Sequence, residues 1–454
     1  MSDIIKSVNP YNQQVIKSYT LNSQEEVFSK LKIAENTFKD WSTIDVSKRA
    51  RLLFKVGNIL EARLEELSQL ITLEMGKPIK ESRAEINKCI FLCDFYATNA
   101  ETFLADQIIE TDALESFISY DPLGVILAVM PWNYPFWQVF RFAAPTLTAG
   151  NTAVLKHASN VSGCAMAIQD IFEAAGYPKG CFQTLITDHK NIEAILKGDS
   201  IQAVSLTGSE KAGKTIAKIA GENLKKAVLE LGGNNACIVL DDANLEKYID
   251  TMVKARMQNT GQSCIAAKRF IVTENIYNTF LEQFTTRVKA LKYGDPLHEE
   301  TEIATLARED LAIDLQKQVA DAISKGAKVI TGNKRDKAYF EPTILTNVTK
   351  NMDVFKEETF GPLAPIFKVK DLEEALALAT DSRFGLGTML FTEDIETAAR
   401  AISKIPDGAF FINEMVKSDP RLPFGGTKAS GYGRELSKEG IHEFVNIKTV
   451  YIQK

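Results

Sequence analysis

From position 123 onward the chain alternates short, unbroken apolar runs with longer stretches of helical periodicity, and this texture restricts the fold more than any other feature. Residues 125–130, 153–155, 182–186, 203–206, 227–229 and 236–240 read as strands, with helical patterns such as 163–176 and 209–221 between them. A strand that is apolar on both faces must be covered on both faces, and helical crossovers between strands make the pairing parallel. The pattern resumes with 270–273, 328–331, 363–369 and 387–391. Two such runs predict two α/β domains with parallel sheets. No Gly/Ser/Pro linker divides them, so the join is expected to be packed, near Gly232–Gly233. The first hundred residues read mainly as helices, over 25–41, 49–75 and 79–103, with Gly76 and Pro78 ending the second. The tail, 444–451, alternates like an exposed strand, an edge that calls for a partner, which another subunit would supply.

Composition excludes several classes. With 454 residues the chain is long enough for two or three well-buried domains. It carries 53 Lys+Arg against 59 Asp+Glu and no basic run, which argues against nucleic acid or a membrane surface as partner. No apolar stretch is long enough to span a bilayer. The opening MSDIIKSVNP lacks the pattern of a signal peptide. Six cysteines are too few for a disulfide scaffold, so a reducing, cytoplasmic setting is expected. The four histidines show no metal-ligand spacing, and Cys89 and Cys93, four apart without a nearby histidine, make a poor zinc site. No metal is expected.

Four segments carry chemistry. Cys264 follows Gln258–Asn259–Thr260–Gly261–Gln262–Ser263, a polar, glycine-bearing loop suited to a nucleophile, whereas Cys89, Cys93, Cys164, Cys181 and Cys237 sit in apolar or helical patterns as packing residues. Glu230 ends a strand before Gly232–Gly233, where a partly buried carboxylate can serve as a general base. Asn133 stands between Pro131 and Pro135, which fix the backbone around an amide that can donate to an oxyanion. Gly208 and Ser209 join a strand to a helix whose first N–H groups attract phosphate, and Lys156, at the end of the preceding strand, can reach a ribose or phosphate. Taken singly, the last three segments read more simply as a strand-end residue, a rigid turn and a capped helix.

In this order the segments resemble the NAD(P)-dependent aldehyde dehydrogenase superfamily over nearly the whole chain. The resemblance rests on PWNYP at 131–135, LTGSEKAG at 206–213, ELGG at 230–233, NTGQSC at 259–264, EETFGP at 357–362 and PFGGTKASGYGRE at 423–435. Within the family, WNYPFWQVFRFAAP at 132–145, QSCIAAKRF at 262–270 and INEMVKSDPRLPFGG at 412–426 are similar to bacterial succinate-semialdehyde dehydrogenases. The fold this implies is aldehyde dehydrogenase-like α/β. A Rossmann-like cofactor domain would span 1–115 and 131–232, a catalytic domain 233–425, and a small β oligomerisation element 116–130 and 426–454. A homodimer or homotetramer would follow.

The resemblance assigns roles by position. Cys264 would attack the aldehyde to form a thiohemiacetal, and Asn133 and the Cys264 backbone N–H would hold the oxyanion. Hydride loss would give a thioester, which a water activated by Glu230 would hydrolyse. Glu435 would relay protons. Lys156 would contact the adenosine ribose, Ser209 the pyrophosphate and Glu358 the nicotinamide ribose, with Phe360, Trp132 and Gly208 lining the channel. Ser159 stands where NAD-specific members often carry a glutamate, so NADP as well as NAD is expected to bind. Arg141, eight residues after Asn133, would point down the substrate tunnel toward a carboxylate, with a structural salt bridge as the competing reading, and Ser418 would add a hydrogen bond. Position 258, where some members use a second arginine, is Gln258, and Arg256 lies two residues earlier. Glutarate semialdehyde or a general aliphatic aldehyde is the nearest alternative substrate. Glu230 argues against transfer of the acyl group to a thiol such as coenzyme A. The intact Cys264, Glu230 and Asn133 argue against a non-catalytic protein of the same fold.

Overall fold

The computed structural model describes residues 4–453. Its core is two open sheets. The first has six strands in the spatial order Gly431–Tyr432, Lys226–Glu230, Ile201–Thr207, Val125–Met130, Thr152–His157, Phe182–Thr184. All pair in parallel except Gly431–Tyr432, which runs antiparallel to Lys226–Glu230. Chain order therefore reverses between Val125–Met130 and Ile201–Thr207, and such a switch point opens a crevice at the carboxyl ends of the strands. Pro131–Trp132–Asn133 and Gly208–Ser209 follow those two ends. The second sheet has seven strands, in the order Lys328–Thr331, Thr343–Thr346, Leu363–Val369, Arg269–Thr273, Ala236–Val239, Thr388–Phe391, Phe410–Ile412. It is parallel except at its first pair. Gly232–Gly233 lie between the last residue of one sheet and the first strand of the other.

Three features differ from the sequence reading. Val125–Met130, placed with the oligomerisation element, is a central strand of the six-stranded sheet, buried on both faces except at Val129. Likewise Gly431–Tyr432 adds to the six-stranded sheet beside Lys226–Glu230, and Thr427–Lys428 forms a separate two-stranded sheet with Phe384–Gly385. Only the sheet of Val445–Ile452, Glu115–Pro122 and Gln107–Ile108 stands apart, with Val445–Ile452 at its edge. The helix expected over 49–75 is two, Val46–Ala62 and Leu64–Met75, broken at Arg63, whose ψ of 17° leaves the helical region. The break turns Leu67, Ile71 and Met75 into the same core as Leu53, Val56 and Leu60. Residues 4–20 form a hairpin, Ile4–Val8 with Val15–Thr20, that the helical reading of this region did not contain. Among the described residues no helix is long and apolar enough to cross a membrane.

Candidate active site

Cys264 lies in the loop between the helix Leu245–Met257 and the strand Arg269–Thr273. The approach to it is strained. Asn259, Thr260 and Gly261 have φ of 56°, 51° and 73°, three consecutive left-handed residues, and a β-branched Thr there costs about 1–3 kcal/mol. Hydrogen bonds hold this conformation from several sides. The Asn259 side-chain amide donates to the carbonyls of Asn133 (2.8 Å) and Gln262 (3.1 Å), and its backbone N–H donates to Glu81 (2.8 Å). The Arg256 guanidinium donates to the carbonyls of Ala267, Gly261 and Gly361 at 2.6–2.9 Å. Arg256 thus ties the loop to its neighbours and is not free for a ligand. The Asn235 amide donates to the carbonyls of Cys264 (2.6 Å) and Ala266 (2.9 Å). A Cβ on Gly233 would lie 2.6 Å from the Cys264 carbonyl oxygen, so only glycine lets these two loop segments meet.

Around the thiol stand the other groups expected from sequence. Asn133 is buried; its Nδ2 donates to the Gln262 carbonyl (3.1 Å), and its Oδ1 has no partner. One of the two amide hydrogens is therefore held by the Cys264 loop, which leaves the other for a ligand. Glu230 is buried with neither carboxylate oxygen hydrogen-bonded, and desolvation with the charge of Glu435 raises its pKa well above the usual range. Burial pushes the Cys264 thiol up to about 11; Arg141 and Lys268 pull it down, Glu358 and Glu230 push it up. The other five cysteines are fully buried, and burial raises each of their pKa values.

Arg141 departs from the tunnel reading. Its guanidinium forms a buried ion pair with Glu435, lies 4.5 Å over the Phe424 ring and reaches Thr207 Oγ1 at 3.4 Å. It is committed to a carboxylate of the chain itself and does not line the tunnel described below. Glu435, the suspected relay, is accordingly ion-paired, although burial still raises its pKa.

A thiol, an amide donor and a buried carboxylate at the junction of two α/β sheets form a set that the comparisons with known proteins match across the chain. The aldehyde dehydrogenase family model covers residues 1–450. The chain belongs to the aldehyde dehydrogenase family. It is 50% identical over 451 residues, 99% of each chain, to a Synechocystis sp. protein named probable succinate-semialdehyde dehydrogenase (NADP+). It is 44% identical over 454 residues, again 99% of each chain, to succinate-semialdehyde dehydrogenase (NADP+) 1 of Mycobacterium tuberculosis H37Rv. The crystal structure of the Streptococcus pyogenes succinic semialdehyde dehydrogenase in complex with NADP+ superposes with a TM-score of 0.97 at 36% identity, covering 99% of this chain and 100% of that one.

Two cavities carry further residues expected from sequence. One, about 470 Å3, opens beside the six-stranded sheet and is lined by Lys156, Lys190, Ser209 and Lys211 among others. None of these lysines has a carboxylate within 4 Å among the described residues, which suits an anionic cofactor. Ser209 uses its Oγ to cap the helix Glu210–Glu222, accepting from Ala212 N–H (3.3 Å), and the Gly208 N–H donates to the Glu230 carbonyl (2.9 Å). Ser159 is exposed and opens the short turn Ser159–Val161; it stands outside this cavity's lining. Glu358 accepts from Gly233 N–H (3.3 Å) and pairs with Lys268 (3.2 Å), a lysine that burial lowers to about 8. Trp132 and Phe360 meet edge to face at 5.7 Å. The second cavity, about 330 Å3, is a tunnel between the helix Ile79–Leu104 and the 415–420 loop; Ser263 and Ile265, the neighbours of Cys264, line it with Tyr134, Trp137, Gln258 and Ser418.

Sequence reading missed Asn235 and Lys268. Asn235 follows the Gly-Gly-Asn run and Lys268 closes the Cys264 segment, so adjacency to motifs already singled out was the available signal. Nothing in the local sequence marked Glu85, which caps the helix Trp137–Thr148 by accepting from the N–H groups of Phe136 (2.8 Å) and Trp137 (3.0 Å).

Proposed function

We propose that the chain oxidises succinate semialdehyde to succinate with NADP, and accepts NAD. The observation that carries this reading is the grouping of Cys264, the half-free Asn133 amide and the unpartnered Glu230 carboxylate, in a chain similar over its full length to enzymes named for this reaction. The Cys264 sulfur, once its proton has left, adds to the aldehyde carbon, and the new oxyanion is met by the second Asn133 N–H and the Cys264 backbone N–H. A thiol held near 11 is mostly protonated at neutral pH, so a base must take that proton, and Glu230 serves. NADP, when bound, supplies the two-electron acceptor for oxidation of the thiohemiacetal to the thioester. Glu230, after passing the thiol proton to solvent, takes a proton from water, which attacks the thioester carbonyl; the acid leaves, and Glu230 returns that proton to the departing Cys264 sulfur. Arg141 offsets the negative charge of Glu435 and Glu230 and favours the thiolate.

The cofactor fits the residues present. Lys156, Lys190 and Lys211 supply uncompensated positive charge, the Glu210–Glu222 helix start supplies N–H groups, and the one carboxylate of the lining, Glu193, is paired with Lys197 (2.6 Å), while Ser159 stands in place of the glutamate of NAD-specific members. Glu358, Phe360 and Trp132 stand on the Cys264 side. Initial rates with succinate semialdehyde, glutarate semialdehyde and butanal, each with NADP and with NAD, test the reading. The highest kcat/KM is expected for succinate semialdehyde with NADP; preference for butanal or for NAD overturns the corresponding part. The exposed edge strand Val445–Ile452, with Ile447, Tyr451 and Ile452 outward, supports a homodimer or homotetramer, to be checked by light scattering. Six free thiols suit the cytoplasm.

A further inference from the structure

The tunnel holds a cation that the reaction as derived does not use. Lys88, on the helix Ile79–Leu104, lines it beside Trp137 and Ser418. Its Nζ lies 4.1 Å over the Trp137 ring and has no carboxylate within 4 Å among the described residues. Each nearby carboxylate is engaged elsewhere. Glu85 pairs with Lys77 (2.5 Å) and caps a helix, and Asp419 is gripped by Arg421 (2.8 and 2.7 Å). Glu81 accepts the Asn259 N–H, and burial raises its pKa to about 7. Lys88 is half-buried; burial, with the charge of Arg141, lowers its pKa to about 8.

Ser418 shows what such a cation is set to meet. Its Oγ accepts from Lys88 Nζ (2.7 Å) and from Trp137 Nε1 (3.1 Å). A hydroxyl has two lone pairs and one hydrogen. With both lone pairs taken, Ser418 can only donate. Lys88 keeps two further N–H donors, so an ammonium and a hydroxyl hydrogen stand side by side in a tunnel whose floor adjoins Cys264. A carboxylate satisfies both at once. The other cations near the tunnel do not compete: Arg141 is bound to Glu435, Arg256 to backbone carbonyls, Lys417 is exposed and paired with Glu414 (2.5 Å), and position 258 is an uncharged glutamine, while Lys254 is exposed at the rim.

We propose that Lys88 is the residue that grips the tail carboxylate of the aldehyde, with Ser418 as its partner, in the place first assigned to Arg141. The proposal rests on the reading of this tunnel as the site of an aldehyde with a distal carboxylate. The test is the ratio of kcat/KM for succinate semialdehyde to that for butanal, measured for the wild type, Lys88→Met and Lys88→Arg with NADP. A charge-assisted hydrogen bond of this kind predicts a fall in the ratio of about 10–100-fold in Lys88→Met, carried mainly by KM, and partial recovery in Lys88→Arg. The Ki of succinate as an inhibitor of butanal oxidation provides a second readout that does not depend on the preferred substrate. It is expected to rise by a similar factor in Lys88→Met. A ratio that moves less than about threefold together with an unchanged Ki overturns the Lys88 assignment and leaves the substrate reading standing. A wild type that does not prefer succinate semialdehyde, with a Ki that still rises in Lys88→Met, overturns the substrate reading and retains Lys88 as a carboxylate site.

Discussion

Replacing Arg141 by alanine separates two accounts of this arginine by a large margin. In the structure its guanidinium is buried against Glu435, and Glu435 in turn raises the pKa of Glu230. Removing one partner of a buried pair typically costs about 3–5 kcal/mol, because the other charge is left uncompensated. Unfolding entropy is about 2.1 cal/mol/K per residue, so a chain of this length melting as one unit shifts by about 1 °C per kcal/mol. The expected fall is then about 3–5 °C in melting temperature at a fixed scan rate. The loss has a pH signature. Without Arg141 the Glu435 pKa rises further above its unfolded value, so the folded state binds the extra proton. The variant is therefore least destabilised at acid pH and loses stability as pH rises through the folded pKa. Both aldehydes should lose kcat/KM together, since the thiol and Glu230 lose the same countercharge. The double variant Arg141→Met/Glu435→Gln should regain most of the stability, because no buried charge is then orphaned. A variant with wild-type melting temperature and a KM raised only for succinate semialdehyde would refute the ion-pair account and return Arg141 to the substrate tunnel.

Three further outcomes follow from the same geometry. Asn133→Ala removes one oxyanion donor and should lower kcat by about 10²–10³-fold in steady-state assays. Glu230→Gln should suppress both the burst of reduced cofactor and steady turnover at neutral pH, seen by stopped-flow absorbance, because one carboxylate takes the thiol proton and activates the water; raising the pH toward 11 should bring back the burst alone. The KM for succinate semialdehyde should climb as pH rises past about 8, where Lys88 loses its proton, while that for butanal follows only the shared titrations. Arg141 lowers the Lys88 pKa and Glu85, Cys89 and Asp419 raise it, so these are the groups whose substitution would move that limb.

What the sequence revealed follows a physical rule. Strands buried on both faces announce themselves as apolar runs, so Val125–Met130 and Leu363–Val369 were legible to the residue. The hairpin of Ile4–Val8 and Val15–Thr20 was not, because it lies largely exposed and buries no continuous face. The Cys264, Glu230 and Asn133 segments stood out because polar, Gly- and Pro-rich stretches at strand ends are costly unless a close approach or a fixed turn requires them. Placing Val125–Met130 outside the cofactor sheet was an error of partner, not of element: a strand's neighbours are set by register that no local pattern contains.

The cations show the limit most sharply. In sequence Arg141 reads as a charge aimed at substrate, while Lys88 carries no assignment. Packing reverses this, since Glu435 neutralises Arg141 while Ser418, 330 residues away along the chain, sits against Lys88 without neutralising it. A buried charge that is already compensated gains little from a ligand's opposite charge. One that is partly desolvated and uncompensated gains more, because part of its water has already been lost on folding. Specificity for an anionic tail should therefore reside in the unpaired cation of the pair, and which of the two that is depends on contacts between distant segments rather than on residue type.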